Sequence, residues 1–364
     1  MNSAANYYMI SNRKYDEPTG KFLPEVSTNG TLTFFSTPAS SPGTFMAMTY
    51  ANWLAAVKAD IQRCASVPGP APGRAAEGLP LPPIVPLCSW VTIFEHGYGV
   101  TFEDANTVFP TYFANLAANG YGGVLIGFDW PSDDDMVNQP DAFHQAKANA
   151  VTTAEESFPT EAPPDDQPRL LQVLKDIQSA QSPALTVCLG AICHSMGNYL
   201  MFEGATAFAT QSSTPLFQQI VCAAAMLDAN GFNDASSPTY CADITAAAMR
   251  VTIYYSSNDD VLPTAEGPKY DGYPELGING PTYGSTLLKG VFGVDCSAVV
   301  NAVNAKKYEP DQNHPLAHTA YFFIPQVLQD IAATLQGVVA HDLSDRTPID
   351  GSDGAGFTMN ALPD

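Results

Sequence analysis

The residue with the strongest claim to chemistry is Ser195, in the run Cys193-His194-Ser195-Met196-Gly197. There the apolar segment LTVCLGAICHS passes directly into the helical pattern MGNYLMFEGATAFA, with no intervening loop. A serine on such a strand-to-helix turn is the arrangement of a nucleophile elbow, G-x-S-x-G, whose small residues two before and two after the serine approach other backbone closely. Gly197 keeps the second glycine. Cysteine replaces the first, a departure that a small side chain can accommodate. A serine at a helix start also sets a developing oxyanion beside free backbone N–H groups and the positive end of the helix dipole. The plainer alternative is a strand–helix turn that merely contains a serine. Against it stands His96-Gly97-Tyr98-Gly99, which ends an earlier strand where a second oxyanion donor belongs. The hole is therefore assigned to the N–H groups of Met196 and Tyr98. His96 precedes Ser195, the wrong order for a base, and is expected to form structural hydrogen bonds.

Enzymes built on this elbow carry their triad in the chain order serine, acid, histidine. Asp259 and Asp260 end the strand-like run VTIYYSSNDD, where a carboxylate can orient an imidazole; Asp259 is the first choice and Asp260 the second. Asp228, after AAAML, is the third, with a turn or cap carboxylate as its plainer role. The histidines after Ser195 are His314, His318 and His341. His318 lies shortly before the last core helix and is the expected base, His314 is its near alternative, and His341 falls beyond that helix. His194 is expected to point away from the nucleophile and to pack or hydrogen-bond. Trp130, at a strand's C-terminal end, is a candidate for the substrate pocket together with Tyr98, since ligands bind outside such ends; a core aromatic is the equal alternative for Trp130.

To bring these residues together the chain must build a sheet. Short β-branched and aromatic runs alternate with helical patterns, the signature of βαβ units in a largely parallel sheet covered on both faces. Eight strands are expected, centred on NYYMISNR, LTFFST, VTIFE, GGVLIGFD, LTVCLGAICH, IVCAAAML, MRVTIYYS and VFGVD. Helices are expected over 50–63, with Trp53, Leu54, Val57 and Ile61 facing the core, over 102–119 behind a Thr101/Asp104 capping box, and over 142–156, 169–181 and 325–336. Residues 1–340 read as one domain. Residues 66–86, rich in Pro, Ala and Gly, read as a loop, 133–168 and 264–293 as candidate lid or insertion segments, and 341–364 as an irregular tail or surface strap.

The chain of 364 residues carries 37 acidic against 15 basic side chains, a formal charge of −22. A field of that sign repels phosphate backbones and anionic headgroups, which argues against a nucleic-acid partner and for a neutral substrate. Hydrophobic residues at 45% are enough for a large core. No apolar run reaches membrane-spanning length. The first residues lack a basic and apolar leader pattern, and Cys88, Cys188, Cys193 and Cys222 lie in strand-like runs as free thiols, which together point to a cytoplasmic setting. Cys64, Cys241 and Cys296 are available for pairing in an oxidising compartment. The six histidines show no metal-ligand spacing, so neither metal nor cofactor is expected. Oligomeric state is not encoded in any pattern.

The motifs HGYGVTFEDA, FDWPS, CHSMGN, AAMLDANGF, SSNDDVL, PELGINGP, VDCSAV and HTAYFF occur in this order, with ISNRKYDE near the start. In them the chain resembles the α/β-hydrolase proteins catalogued as domain of unknown function nine hundred, over residues 9–331, with looser agreement at 38–86 and 158–167. The resemblance implies an α/β-hydrolase fold, with a mostly parallel eight-stranded sheet and helices on both faces. It also implies Asp259 as the acid and His318 as the base. The chemistry expected is hydrolysis of a small-molecule or lipid ester through an acyl-enzyme, as a carboxylesterase or lipase, with polyesters, thioesters and amides open to the same machinery. A non-catalytic binding protein on the same scaffold is the alternative, motivated by Cys193.

Overall fold

The computed structural model describes residues 4–65, 87–132, 140–159, 167–308 and 316–361. The 66–86 loop, the 133–139 and 160–166 parts of the first candidate lid segment, and His314 therefore lie outside the described residues. In chain order the elements are β1 (Asn6–Ser11), β2 (Arg13–Asp16), β3 (Lys21–Val26), β4 (Thr33–Pro38), β5 (Met46–Met48), α1 (Tyr50–Cys64), β6 (Leu87–Glu95), α2 (Phe102–Ala118) and β7 (Val124–Asp129). There follow α3 (Pro140–Ser157), α4 (Leu170–Gln178), β8 (Leu185–His194), α5 (Gly197–Ala209), β9 (Gln219–Ala223), α6 (Ala242–Ala247) and β10 (Val251–Tyr255). The remainder is α7 (Leu262–Ala265), α8 (Leu276–Asn279), β11 (Val291–Asp295), α9 (Ala302–Tyr308), α10 (Pro325–Leu335), β12 (Arg346–Pro348) and β13 (Gly356–Met359).

Among the described residues eleven strands form one sheet in the order β12-β13-β11-β10-β9-β8-β6-β7-β1-β4-β5, while β2 and β3 pair separately. From β13 to β1 every neighbour is parallel, and antiparallel pairing is confined to the two edges. All eight expected strands are present, but the count is too low. β5 and β12 span three residues each and β13 four, too short for an alternation to stand out from a loop. The tail from His341, expected to be irregular, places β13 beside β11 in register Gly293↔Gly356, with Phe357 and Met359 buried.

The central strands read as unbroken apolar runs because helices cover them on both faces. β7, β9 and β10 are buried at every position. Helix α1 turns Trp53, Val57 and Ile61 inward as the spacing requires, with Leu54 half-buried. It also buries Asp60, which accepts the N–H groups of Ala5 and Asn6 at 3.0 Å and the Tyr8 hydroxyl at 2.8 Å, fixing the start of β1. The Thr101/Asp104 capping box is formed in both directions and starts α2 directly after the Tyr98 loop. All seven cysteines are free and buried, so none of Cys64, Cys241 and Cys296 is paired. No helix among the described residues is long and apolar enough to cross a membrane.

Candidate active site

At the C-terminal end of β8 the chain reverses sharply into α5, and the residue at the apex, Ser195, has φ +52°. A side-chain-bearing residue rarely holds this left-handed conformation unless its surroundings over-determine it. Here they do. The Ser195 N–H donates to the Ala223 carbonyl at 3.1 Å, and the Ser195 carbonyl accepts from Met226 at 3.2 Å and Asn198 at 3.0 Å. The buried Asn198 side chain donates to the carbonyls of Cys193 at 3.0 Å and Ser195 at 3.1 Å, tying the two sides of the turn. A Cβ on Gly97 would stand 2.8 Å from Ser195 Cβ, and one on Gly197 would stand 2.6 Å from the Glu95 carbonyl oxygen. Both glycines are thus required by close approach. Cys193 needs no such exemption: it is fully buried, with Sγ 3.5 Å from Glu95 Oε2.

His318 Nδ1 lies 2.7 Å from Asp259 Oδ2, with both side chains almost wholly enclosed. The other Asp259 oxygen accepts the N–H groups of Val261 and Leu262, each at 2.9 Å. Burial pushes the Asp259 carboxyl upward, but the His318 imidazole and the two N–H donors outweigh it and leave the group below the usual carboxylate range. With Nδ1 committed to the carboxylate, Nε2 is the imidazole nitrogen left for proton transfer. Asp260, the second choice of acid, holds the histidine's backbone instead, accepting the N–H groups of Ala317 and His318 at 3.2 Å each. Asp228 is a turn carboxylate, accepting from the Asn230 N–H at 3.0 Å and the Ser237 hydroxyl at 2.8 Å. His341 is exposed and packs its ring against Phe357 in the tail.

Two further histidines frame the site. His194 donates Nε2–H to the His318 carbonyl at 3.0 Å, with its ring 4.6 Å from the His318 ring. Burial first, and then the charge of His318, lower its pKa to about 3, so it is a neutral donor throughout the working range. His96 donates Nδ1–H to the Gly97 carbonyl at 2.9 Å and accepts the Trp130 N–H on Nε2 at 3.1 Å. Trp130 is fully buried and stacked on His96 at 5.5 Å, its indole N–H donated to the His96 carbonyl. This corrects its expected place in the substrate pocket: the strand end fixes its height in the sheet but not the side it faces, and it backs the wall that His96 presents.

Ser195, His318, Tyr98 and His194 share a cavity of about 550 Å³. The rest of its lining is mainly aromatic and aliphatic, and includes Tyr112, Phe143 and Tyr270. Met196 precedes the first turn of α5, whose leading N–H groups have no acceptor within the helix, and Tyr98 lines the cavity from the β6–α2 loop. No group of three or more His, Cys, Asp or Glu side chains suited to a metal occurs among the described residues. Three positions carry structural weight that the sequence did not disclose: Asn198, Asp260, and Gly277, whose absent Cβ would stand 2.4 Å from the backbone of Ala224. Ala224 itself holds φ +46° just after β9, next to the carbonyl that binds the Ser195 N–H. Asn198 and Gly277 are signalled only by their places in the motifs CHSMGN and PELGINGP, and Asp260 lies in SSNDDVL, where the sequence offered it as an acid and not as a backbone acceptor.

Among curated proteins none matches this chain. Among solved structures it is similar to the phospholipase PlaB from Legionella pneumophila, in complex with thio-NAD, at 13% identity over 75% of this chain and 67% of that one, with a TM-score of 0.32. The family model of the alpha/beta hydrolases of unknown function (DUF900) matches residues 88–271, from β6 to the stretch beyond α7. More than half of the sequence is matched, and the chain belongs to that alpha/beta hydrolase family.

Proposed function

We propose that this hydrolase cleaves carboxylic esters with Ser195 as nucleophile, His318 as general base and acid, and Asp259 as the group that orients the imidazole. The observation that carries the reading is the His318 Nδ1 to Asp259 Oδ2 bond of 2.7 Å on the same cavity as a serine held at φ +52°. His318 takes the Ser195 proton as Oγ attacks the ester carbonyl. The tetrahedral oxyanion is stabilised by the N–H groups of Met196 and Tyr98. His318 then returns the proton to the leaving alcohol, and water, activated by the same imidazole, releases the acid. The acyl or alcohol portion occupies the aromatic cavity, and thioesters and amides fall within reach of the same steps.

Residues 140–157 and 264–271 support a single cap over this cavity. Phe143 and Tyr270 both line it and meet edge to face at 5.1 Å. Lys147 pairs with Asp271, and His144 donates to the Lys269 carbonyl at 3.2 Å. The continuous sheet beneath supports reading the chain as one hydrolase domain. The test is hydrolysis of p-nitrophenyl esters from acetate to palmitate by wild type and Ser195→Ala, with circular dichroism to establish that both are folded. Activity is expected in the wild type and a loss of at least roughly a thousandfold in the variant. Retention of most activity by a folded Ser195→Ala protein excludes the mechanism. The chain-length profile separates carboxylesterase from lipase.

A further inference from the structure

The walls of the cavity carry charge of one sign. Asp104, in the first turn of α2, and Asp260, beside the acid, both line it and both are exposed. Neither is neutralised by a cation in its hydrogen bonds: Asp104 accepts from Thr101, and Asp260 from the backbone of Ala317 and His318. Among the described residues no lysine or arginine lines the cavity. One wall is a run of aromatic rings, Tyr98 to Phe143 at 5.8 Å and Phe143 to Tyr270 at 5.1 Å, both edge to face. Aromatic faces together with carboxylates are the chemistry that binds ammonium groups, and a weakly hydrated quaternary ammonium gains most from it. The same wall offers no lysine or arginine to a phosphate or sulfonate, and the formal charge of −22 on the chain adds to the repulsion.

We propose that the site selects its ester by charge, preferring cationic substrates of the quaternary-ammonium type, accepting uncharged ones and rejecting anionic ones, phosphate-bearing lipids included. This rests on the ester-hydrolase reading above and adds the substrate class to it. The selectivity resides in the Asp104 and Asp260 carboxylates and in the rings of the aromatic wall; of these residues only Tyr98 enters the bond-breaking steps, through its backbone N–H and not its ring.

The test uses three thioesters of one shape: S-butyrylthiocholine, its neutral isostere with a tert-butyl group in place of trimethylammonium, and an isostere ending in sulfonate. Water adds to the acyl group and the thiol leaves in each case, so one thiol assay follows all three, with p-nitrophenyl butyrate as the common reference. At low salt, kcat/KM is expected to favour the cation over the neutral ester by about tenfold and over the anion by about a hundredfold. The ratios should shrink at high ionic strength. Asp104→Asn and Asp260→Asn should each lower the cation-to-neutral ratio about threefold, a readout that mere misplacement of His318 leaves unchanged. A thioester that is not turned over is assayed as a competitive inhibitor of the reference reaction, where the same ranking is expected. Equal or reversed ranking, with Ser195-dependent hydrolysis of the reference ester intact, overturns charge selection alone. Absence of hydrolysis of every ester removes the hydrolase reading, and this inference with it.

Discussion

At the scale of single residues, the candidate site includes groups buried beneath Ser195, the proposed nucleophile, as well as those facing the cavity. Glu95, Cys193 and Cys222 are cross-strand partners on β6, β8 and β9. Burial pushes the Glu95 carboxyl from 4.5 up to about 8, with the Cys193 thiol opposing it. The folded state therefore holds this proton more tightly than the unfolded chain. Its contribution to stability is fully present below about pH 4.5, declines as pH rises towards 8, and is constant above that. Glu95→Gln cannot ionise and should escape the decline. It is expected to come nearest to wild type below about pH 4.5 and to exceed it at pH 8.5 in urea unfolding, by at most roughly 5 kcal/mol. Parallel stability curves for the two proteins would show that Glu95 titrates alike in the folded and unfolded chain, and would contradict the upward push. Chain order and strand-end position in the sequence singled out Ser195, Asp259 and His318, which the fold gathers at one cavity with Asp259 bonded to His318. They did not make Glu95 legible, because a carboxylate in VTIFEHGYG reads as a strand end until the cross-strand register is known.

At the scale of elements, the long apolar runs identified the strands that lead to Tyr98, Ser195 and Asp259, and the capping box marked the start of α2 to the residue. Short edge elements were less legible. β13 depends on a tertiary tie that no local pattern reports: Arg346 Nε donates to Asp330 Oδ2 at 2.8 Å, and Tyr254 OH and Thr334 Oγ1 accept from Arg346 Nη2 at 3.0 Å each. Both charged side chains are almost fully enclosed. The pair locks β12 and β13 to α10, the helix that follows His318. Arg346→Ala leaves the Asp330 carboxylate buried without its cation, and should cost about 3–5 kcal/mol in urea unfolding. A loss below about 1 kcal/mol would mean that the tail is not tied down by this pair. Trp130 illustrates the converse limit. Its position at a strand end was legible, but the side it faces is set by stacking on His96, a contact 34 residues away in the chain.

At the scale of the whole molecule, composition foretold the sign of the field but not where it acts. Among the described residues Arg13, Arg169, Arg250 and Arg346 are buried, and so are Asp60, Glu95, Asp129, Asp228, Asp259, Glu275 and Asp330, so the surface keeps the acidic sign of the whole sequence. Asp104 and Asp260 carry that sign to the cavity, where the proposed charge selection would make it a substrate filter rather than a fold determinant. The sheet, the elbow and the Asp259–His318 pair converge on one requirement, that Ser195 be activated. Labelling with a fluorophosphonate probe tests this without knowledge of the substrate, because only an activated serine attacks the phosphorus centre. Stoichiometric adduct mapped to Ser195, lost in Ser195→Ala and strongly slowed in His318→Ala, is the expected result. A folded wild-type protein that remains unlabelled, or is labelled at another serine, would contradict it.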